Sequence, residues 1–275
     1  MANNAQEESA FIVDGVDLNQ PSVARMYDYL LGGYHNFEID RAIIERTKEI
    51  YPDVALAAQV GRAFLRRAVL YLLDLGITQF IDIGSGIPTG GHVHEILQEA
   101  NIDGRVVYVD IEPVAIAHSI AILRDVPNTL AFLEDARNPQ AIYDRIDEGS
   151  FIDFDEPIAL LFISLLHFIE DIDESRELIE QYRSRLAPGS FLAFTYGTTE
   201  GTPSGILEAF SKLSEASSTK AYYRNHDEIF GIFEGLEFVE PGIVYTPLWH
   251  PESSEDMFLD QPERALVYSG VARLT

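Results

Sequence analysis

Cysteine is absent from the 275 residues. That excludes disulfides, thiolate nucleophiles and cysteine-based zinc sites, and it is compatible with a reducing cytosol. Basic side chains are scarce: Lys and Arg number 19 against 45 Asp and Glu, for a formal net charge of −26. A field of that sign repels phosphate backbones and anionic lipid surfaces, so neither nucleic acid nor membrane is expected as a partner. Long hydrophobic runs are also missing. The longest near-continuous one, residues 158–169, is interrupted by Ser164 and His167 and is too short to span a bilayer. Met1 to Val16 show neither a basic n-region nor an apolar h-region, so no secretory signal is expected and the chain reads as soluble and cytoplasmic. Several catalytic signatures are absent as well. There is no Gly-Lys-Ser/Thr, no His-Glu-x-x-His and no Gly-x-Ser-x-Gly, and none of the lysines (Lys48, Lys212, Lys220) has a Tyr four residues before it. P-loop nucleotidases, common zinc proteases, serine hydrolases and short-chain reductases are thereby disfavoured.

What is present is an ordinary globular composition, 47% hydrophobic and 23% charged, arranged in two grammars. Residues 1–18 are polar and aperiodic and read as a flexible tail. Residues 19–76 read as a helical cap, with three helices predicted at Pro21–Leu31 (capped by Asn19), Phe37–Glu49 (capped by Asn36) and Pro52–Leu75. Residues 77–275 form the main unit, a single globular body with the cap. There, short apolar runs alternate with helical stretches: 79–83, 105–109, 129–133, 158–164 and 191–196 as strands, with helices between them. Such alternation predicts right-handed βαβ crossovers and a doubly wound parallel sheet with helices on both faces. The end departs from this pattern, because Leu236–Tyr245 and Ala265–Arg273 are strand-like with no convincing helix between them. They should pair antiparallel.

Three strand tips carry the chemistry. The run Phe80-Ile-Asp-Ile-Gly-Ser-Gly-Ile-Pro-Thr-Gly-Gly91 follows the first strand and precedes a helix, the position where α/β sheets hold cofactors. Gly84 and Gly86 permit a tight turn and close approach of a ligand to backbone. Asp82 is placed to fix the loop or to accept from a cationic ligand group, and Ser85 and Pro88 belong to the same loop. Strand two ends at Asp110, followed by Ile111, twenty-four residues after Gly86. An acid there can accept both hydroxyls of a ribose, or simply cap the helix that begins at Pro113. Strand three ends at Asp135-Ala136, where an acid can receive an exocyclic amine or close an Asx turn. Together the three tips describe a site for an adenosine-bearing ligand.

This sheet grammar, the Asp-x-Gly-x-Gly loop and the terminal strand pair resemble class I S-adenosylmethionine-dependent methyltransferases. More narrowly, the chain resembles a bacterial S-adenosyl methyltransferase family over residues 19–273. The carrying motifs are the run from Pro21 through Arg25, Tyr27, Asp28, Tyr29, Gly32, Gly33 and Asn36 to Phe37, then Arg62–Arg67, Phe80–Thr89, Val107–Asp110, Leu166–Phe168 and Leu186–Ser190. One departure is Asp135-Ala136-Arg137, where relatives often read Ala-Asp-Leu-Arg. The resemblance implies a seven-stranded sheet in order 3-2-1-4-5-7-6 with strand seven antiparallel. It implies S-adenosylmethionine as cofactor, held by Asp82, Gly84, Gly86, Asp110 and Asp135. Ser85, Pro88, Ile111, Ala136 and Ser164, together with Arg25, Tyr29, Gly33 and Asn36 of the N-terminal run, complete the candidate binding set.

His167, just past strand four, is the candidate catalytic group, either as a general base or as a polar group satisfied under the sheet edge. The expected reaction is methyl transfer to an oxygen or nitrogen of a small molecule. A non-catalytic S-adenosylmethionine- or S-adenosylhomocysteine-binding protein is the alternative, and an NAD-dependent oxidoreductase is disfavoured by the glycine spacing. The N-terminal helices and residues 197–225 are expected to cover the site. Two clusters receive a structural reading and a third stays open. His92, His94 and Glu95 are expected to be a solvated helix start, not a metal site. Arg62, Arg66 and Arg67 are expected to form salt bridges. Tyr222, Tyr223 and Trp249 either line the pocket or pack.

Overall fold

The computed structural model describes residues 20–88, 90–208 and 220–275. The expected tail, the cap residue Asn19, Thr89 of the glycine loop and residues 209–219 of the covering segment lie outside the described residues. In chain order the elements are α1 (Val23–Leu30), α2 (Glu38–Ile50), α3 (Val54–Asp74), β1 (Gln79–Ile83), α4 (Val93–Glu99), β2 (Arg105–Asp110), α5 (Pro113–Leu123) and β3 (Thr129–Leu133). They continue with α6 (Pro139–Glu148), β4 (Ala159–Phe162), α7 (Ile172–Arg183), β5 (Phe191–Gly197), α8 (His226–Ile232), β6 (Glu237–Phe238), β7 (Val244–Tyr245) and β8 (Val267–Arg273).

Five parallel strands run in the order β3-β2-β1-β4-β5, and β8 then pairs antiparallel with β5. β6 and β7 both pair antiparallel with β8, at Glu237↔Arg273 and Val244↔Ser269. They are two pieces of one edge position, so the sheet has the expected order 3-2-1-4-5-7-6. The predicted strand Leu236–Tyr245 is broken between them, where Pro241 offers no ladder donor and Gly242 turns the chain at φ +86°.

The period-2 alternation of the strands sorts their side chains into two apolar layers. Ile81, Ile83, Val107, Val109, Leu160, Phe162 and Phe194 pack with α6, α7 and α8 on one face. Phe80, Val106, Tyr108, Leu161 and Ala193 pack with α3 and α4 on the other, around Phe64, Leu65 and Leu72. Trp249 is fully buried in this second layer, edge-on to Phe64 at 5.1 Å and to Tyr71 at 5.7 Å. It is a packing residue. α8 went unpredicted, because seven residues with only Ile229 and Ile232 buried are too few to show a helical period.

The N-terminal caps also differ from expectation. Ser22 caps α1 through its hydroxyl, and α2 starts after Phe37, whose N–H donates to Asp40 Oδ2 at 2.9 Å. Asn36 is not the cap. Its amide donates instead to Asp28 Oδ2 (2.8 Å) and to the Gly33 carbonyl (3.0 Å). Arg25 and Asp40 form a buried pair, with Nε to Oδ2 at 2.6 Å and Nη2 to Oδ1 at 3.2 Å, and Asp40 also accepts from Ser22 N at 2.9 Å. Gly33 passes so close to Asp28 that an added Cβ would lie 2.0 Å from Oδ1. The Gly-Gly turn thus locks α1 against α2.

Candidate functional site

The carboxyl ends of β1 to β5 open on one cavity of about 980 Å³. The first three strands supply its polar half. Asp82, at the end of β1, is buried, and burial pushes its carboxyl up to about 7, with Arg62 opposing and Asp110 adding to the rise. At the tip of β2, Asp110 stitches the loop to the strand: Oδ2 accepts from Gly86 N at 2.7 Å and Oδ1 from Glu112 N at 2.8 Å. Its burial raises its pKa, and those amides hold the rise down. Glu112 is the N-cap residue of α5, so both sequence readings of Asp110 meet in one carboxylate, which steadies the helix entry while facing the cavity. At the tip of β3, Asp135 closes an Asx turn on Arg137 N (2.9 Å) and pairs with the Arg137 guanidinium at 2.6 Å, which lowers its pKa.

The other half lies beyond the ends of β4 and β5. Ser164 adopts φ +57° and its N–H donates to Thr195 Oγ1 at 2.8 Å. His167 follows in a short 3₁₀ turn. Burial pulls its imidazole down to about 4, so the ring is neutral at pH 7, and Nδ1 finds no hydrogen-bond partner among the described residues. Residues 220–224 strap this half. Tyr222 N donates to the His167 carbonyl at 2.7 Å, Arg224 N donates to the Gly197 carbonyl at 3.2 Å, and Tyr222 and Tyr223 both line the cavity.

Of the residues singled out in the sequence, Asp82, Gly84, Ser85, Gly86, Asp110, Ile111, Asp135, Ala136, Ser164 and His167 line this one cavity. Pro88 is buried but does not line it. Arg25, Tyr29, Gly33 and Asn36 lie outside the lining too: Arg25 clasps Asp40, and the Tyr29 hydroxyl donates to Glu45 Oε1 on α2 at 2.9 Å. The ring of the same run that does reach the cavity is Tyr27, two residues before Tyr29. A two-residue step turns about 200° around a helix, so the two rings cannot share a face. Tyr27 is enclosed beside Ser164, donates to the Ala58 carbonyl at 3.2 Å, and lies under the Arg62 guanidinium at 5.7 Å.

The three arginines of α3 part company. Arg66 makes the expected surface pair with Glu99 at 2.6 Å, and Arg67 donates to the carbonyls of Trp249 and Thr246 at 2.8 and 3.0 Å. Arg62 faces the cavity, and its buried Nε has no partner among the described residues. The pair of histidines after the glycine loop is not a solvated helix start. His92 and His94 are buried, with His94 Nδ1 at 2.8 Å from the Tyr108 hydroxyl and His92 Nε2 at 3.2 Å from the Ile87 carbonyl. No group of three or more histidines or carboxylates is placed to hold a metal, and no helix is long and apolar enough to cross a membrane, among the described residues.

Residues 10–275 match the family model described as S-adenosyl methyltransferase. The chain belongs to this family. Two crystal structures of similar proteins agree with it. A candidate methyltransferase of Thermobifida fusca YX is 37% identical, with 97% of this chain and 99% of that chain covered at a TM-score of 0.88. A duf574 family protein of Streptomyces avermitilis MA-4680 is 33% identical, with 94% and 99% covered and a TM-score of 0.88. A search of curated proteins finds no match. The protein is therefore an S-adenosylmethionine-dependent methyltransferase. The chemistry of its lining fits that cofactor: Arg62 Nε and Ser85 Oγ, which have no partner among the described residues, could donate to an amino-acid carboxylate, and the buried acids could accept from cationic and hydroxyl groups.

Proposed function

We propose that this S-adenosyl methyltransferase transfers the cofactor's methyl group to an oxygen or nitrogen of a small molecule in the cytoplasm. The cavity itself carries this reading. At about 980 Å³ it sits at the upper end of the ~300–1,000 Å³ of small-molecule pockets. It is walled by α1, α3 and the 220–224 strap. Among the described residues, carboxylates outnumber cations in its lining by seven to three, a balance that attracts a sulfonium and repels a polyanion. When bound, the cofactor supplies an activated methyl, and the protein's work is alignment and exclusion of water. Incubation with methyl-labelled S-adenosylmethionine and a cell extract tests the assignment. Label should enter the small-molecule fraction on oxygen or nitrogen. Label confined to protein or nucleic acid overturns it.

Within the cofactor half, the proposed roles follow the lining. Asp110 accepts the ribose hydroxyls, Asp82 the α-ammonium group, and Arg62 with Ser85 the carboxylate. Gly84 and Gly86 bring backbone to the ligand, while Ile111, Asp135 and Ala136 border the adenine. Pairing with Arg137 leaves Asp135 less free for an exocyclic amine than the sequence implied. The cap, residues 19–76, completes the site through Tyr27 and Arg62. Arg62→Ala should weaken S-adenosylmethionine binding by about ten- to a hundredfold, as expected for one lost charge-assisted hydrogen bond, with Arg62→Lys in between. An unchanged Kd by calorimetry removes Arg62 from the site.

Asp82 makes binding pH-dependent. Only its ionised form attracts a cation, so affinity should climb as pH rises through about 7 and level off above. For the free protein the sign is opposite. The folded state holds the Asp82 proton up to about 7, whereas the unfolded chain releases it near ~4. Protonation therefore favours the fold, and this group's contribution to stability falls between those values. Asp82→Asn should flatten both profiles, as read by calorimetry and by thermal melting across that window.

A further inference from the structure

The acceptor half of the cavity has a chemistry of its own, and the inference from it rests on the proposed methyl transfer to a small molecule. Its walls are Tyr51, Tyr223, Phe168, Leu266 and His167. Tyr223 lies so close over the end of β5 that a Cβ on Gly197 would meet its Cδ1 and Cε1 at 2.6 Å. Glycine at 197 is what lets this ring lie there. The Tyr223 and His167 rings are within 6° of parallel, with centroids 6.4 Å apart. Burial pushes the Tyr223 hydroxyl up to about 12 and leaves His167 uncharged at pH 7. Among the described residues, the charged ones bordering this half, Glu170, Glu174 and Lys220, are all exposed, so they belong to the rim. Arg62, the enclosed cation among the described lining residues, belongs with Asp82 at the glycine loop.

We infer that the methyl acceptor is an uncharged aromatic compound bearing a hydroxyl or amine, with its ring laid against Tyr223 and its O–H or N–H directed at His167. Charge decides against the alternatives. An anionic acceptor would leave water for a wall that has no enclosed cation among the described residues, amid carboxylates. A cationic one would face the cofactor's sulfonium, and a protonated amine has no lone pair to attack with. A flat neutral ring loses little on entering and gains stacking on Tyr223. In the transfer, the acceptor's lone pair forms the new O–C or N–C bond as the C–S bond breaks. The electron pair of that bond returns to sulfur, leaving a neutral thioether. The acceptor's proton, made acidic by the new bond, passes to the His167 imidazole and on to water.

A hydroxyquinoline and an aminoquinoline isomer that are both neutral at pH 7, with quinoline carboxylate as the anion, serve as probes of one ring system. Calorimetry on protein saturated with S-adenosylhomocysteine measures binding, and mass spectrometry with S-adenosylmethionine measures transfer. The two neutral probes should bind and be methylated, and the carboxylate should bind at least tenfold more weakly. Tyr223→Ala should weaken neutral-probe binding about tenfold while leaving S-adenosylhomocysteine affinity unchanged, which also shows that the variant folds. Tyr223→Phe should restore probe binding. His167→Ala should lower kcat more than it raises KM. Preference for the carboxylate, failure of both neutral probes, or a Tyr223→Ala variant that binds them normally overturns the inference. In each case intact S-adenosylhomocysteine binding leaves the cofactor site standing, whereas loss of that binding in the unmodified protein would sink the broader reading instead.

Discussion

Replacing Asp110 with alanine is expected to lower S-adenosylmethionine affinity by roughly two to four decades, the loss of two hydrogen bonds to a charged group at about 1.5–3 kcal/mol each. The same change reaches the fold. Asp110 accepts from Gly86 N at 2.7 Å and Glu112 N at 2.8 Å, so alanine leaves two amides without a partner at the base of the site. A buried unsatisfied donor costs about 1–3 kcal/mol, and the melting temperature should fall along with affinity. Asparagine is not a mild substitute here. Its single carbonyl can serve one of those amides, while its NH₂ opposes the other donor. The expected order for both quantities is Asp, then Asn, then Ala. Calorimetry and thermal melting on the same variants decide the matter: a destabilised Asp110→Ala protein that binds S-adenosylmethionine normally confines Asp110 to a structural role.

The largest loss of stability is expected at Asp40. Its carboxylate is fully buried and gathers Arg25 Nε and Nη2, Ser22 N and Phe37 N within 2.6–3.2 Å. Asp40→Ala leaves the buried Arg25 guanidinium with the Gln20 carbonyl and, at 3.7 Å, Glu112, and breaking a buried pair from one side costs about 3–5 kcal/mol. Removing both charges, with Arg25→Met added to Asp40→Ala, should recover part of that loss because no buried charge is then left alone. Denaturant midpoints measure it. A loss below about 1 kcal/mol would show that α1 and α2 are held by apolar packing instead. Since α1 also presents Tyr27 to the cavity, cofactor affinity should fall with stability in the single variant and return partly in the double.

The parallel sheet and its functional edge were legible because both are local properties of the chain. Gln79–Ile83 and Thr129–Leu133 begin and end where their apolar runs do. A strand followed by a crossover helix has one favoured hand, which carries the tips with Asp82, Asp110 and Asp135 to the same edge. Elements without a strong local signal were not legible. α8 buries too few residues to show its period, and the last edge strand breaks around Pro241-Gly242.

The N-terminal run shows where sequence stops deciding. Its residues Arg25, Tyr27, Asp28, Tyr29, Gly33 and Asn36 carry part of the sequence resemblance, yet nothing in their order says which of them faces a ligand. That depends on which side of α1 meets α2. Arg25 and Tyr29 are turned to that contact, Asp28 accepts from His35 and Asn36 in the connecting turn, and Tyr27 is left for the cavity. Arg62, Arg66 and Arg67 likewise differ only in what stands opposite each: the glycine loop, Glu99, and the carbonyls of Thr246 and Trp249. Periodicity along one chain sets the strands, their order and the acids at their tips. The inward face of a helix is chosen by partners distant in sequence, so the turn of Tyr27 and Arg62 to the cavity and the pairing of the Tyr223 and His167 rings came only from the tertiary structure.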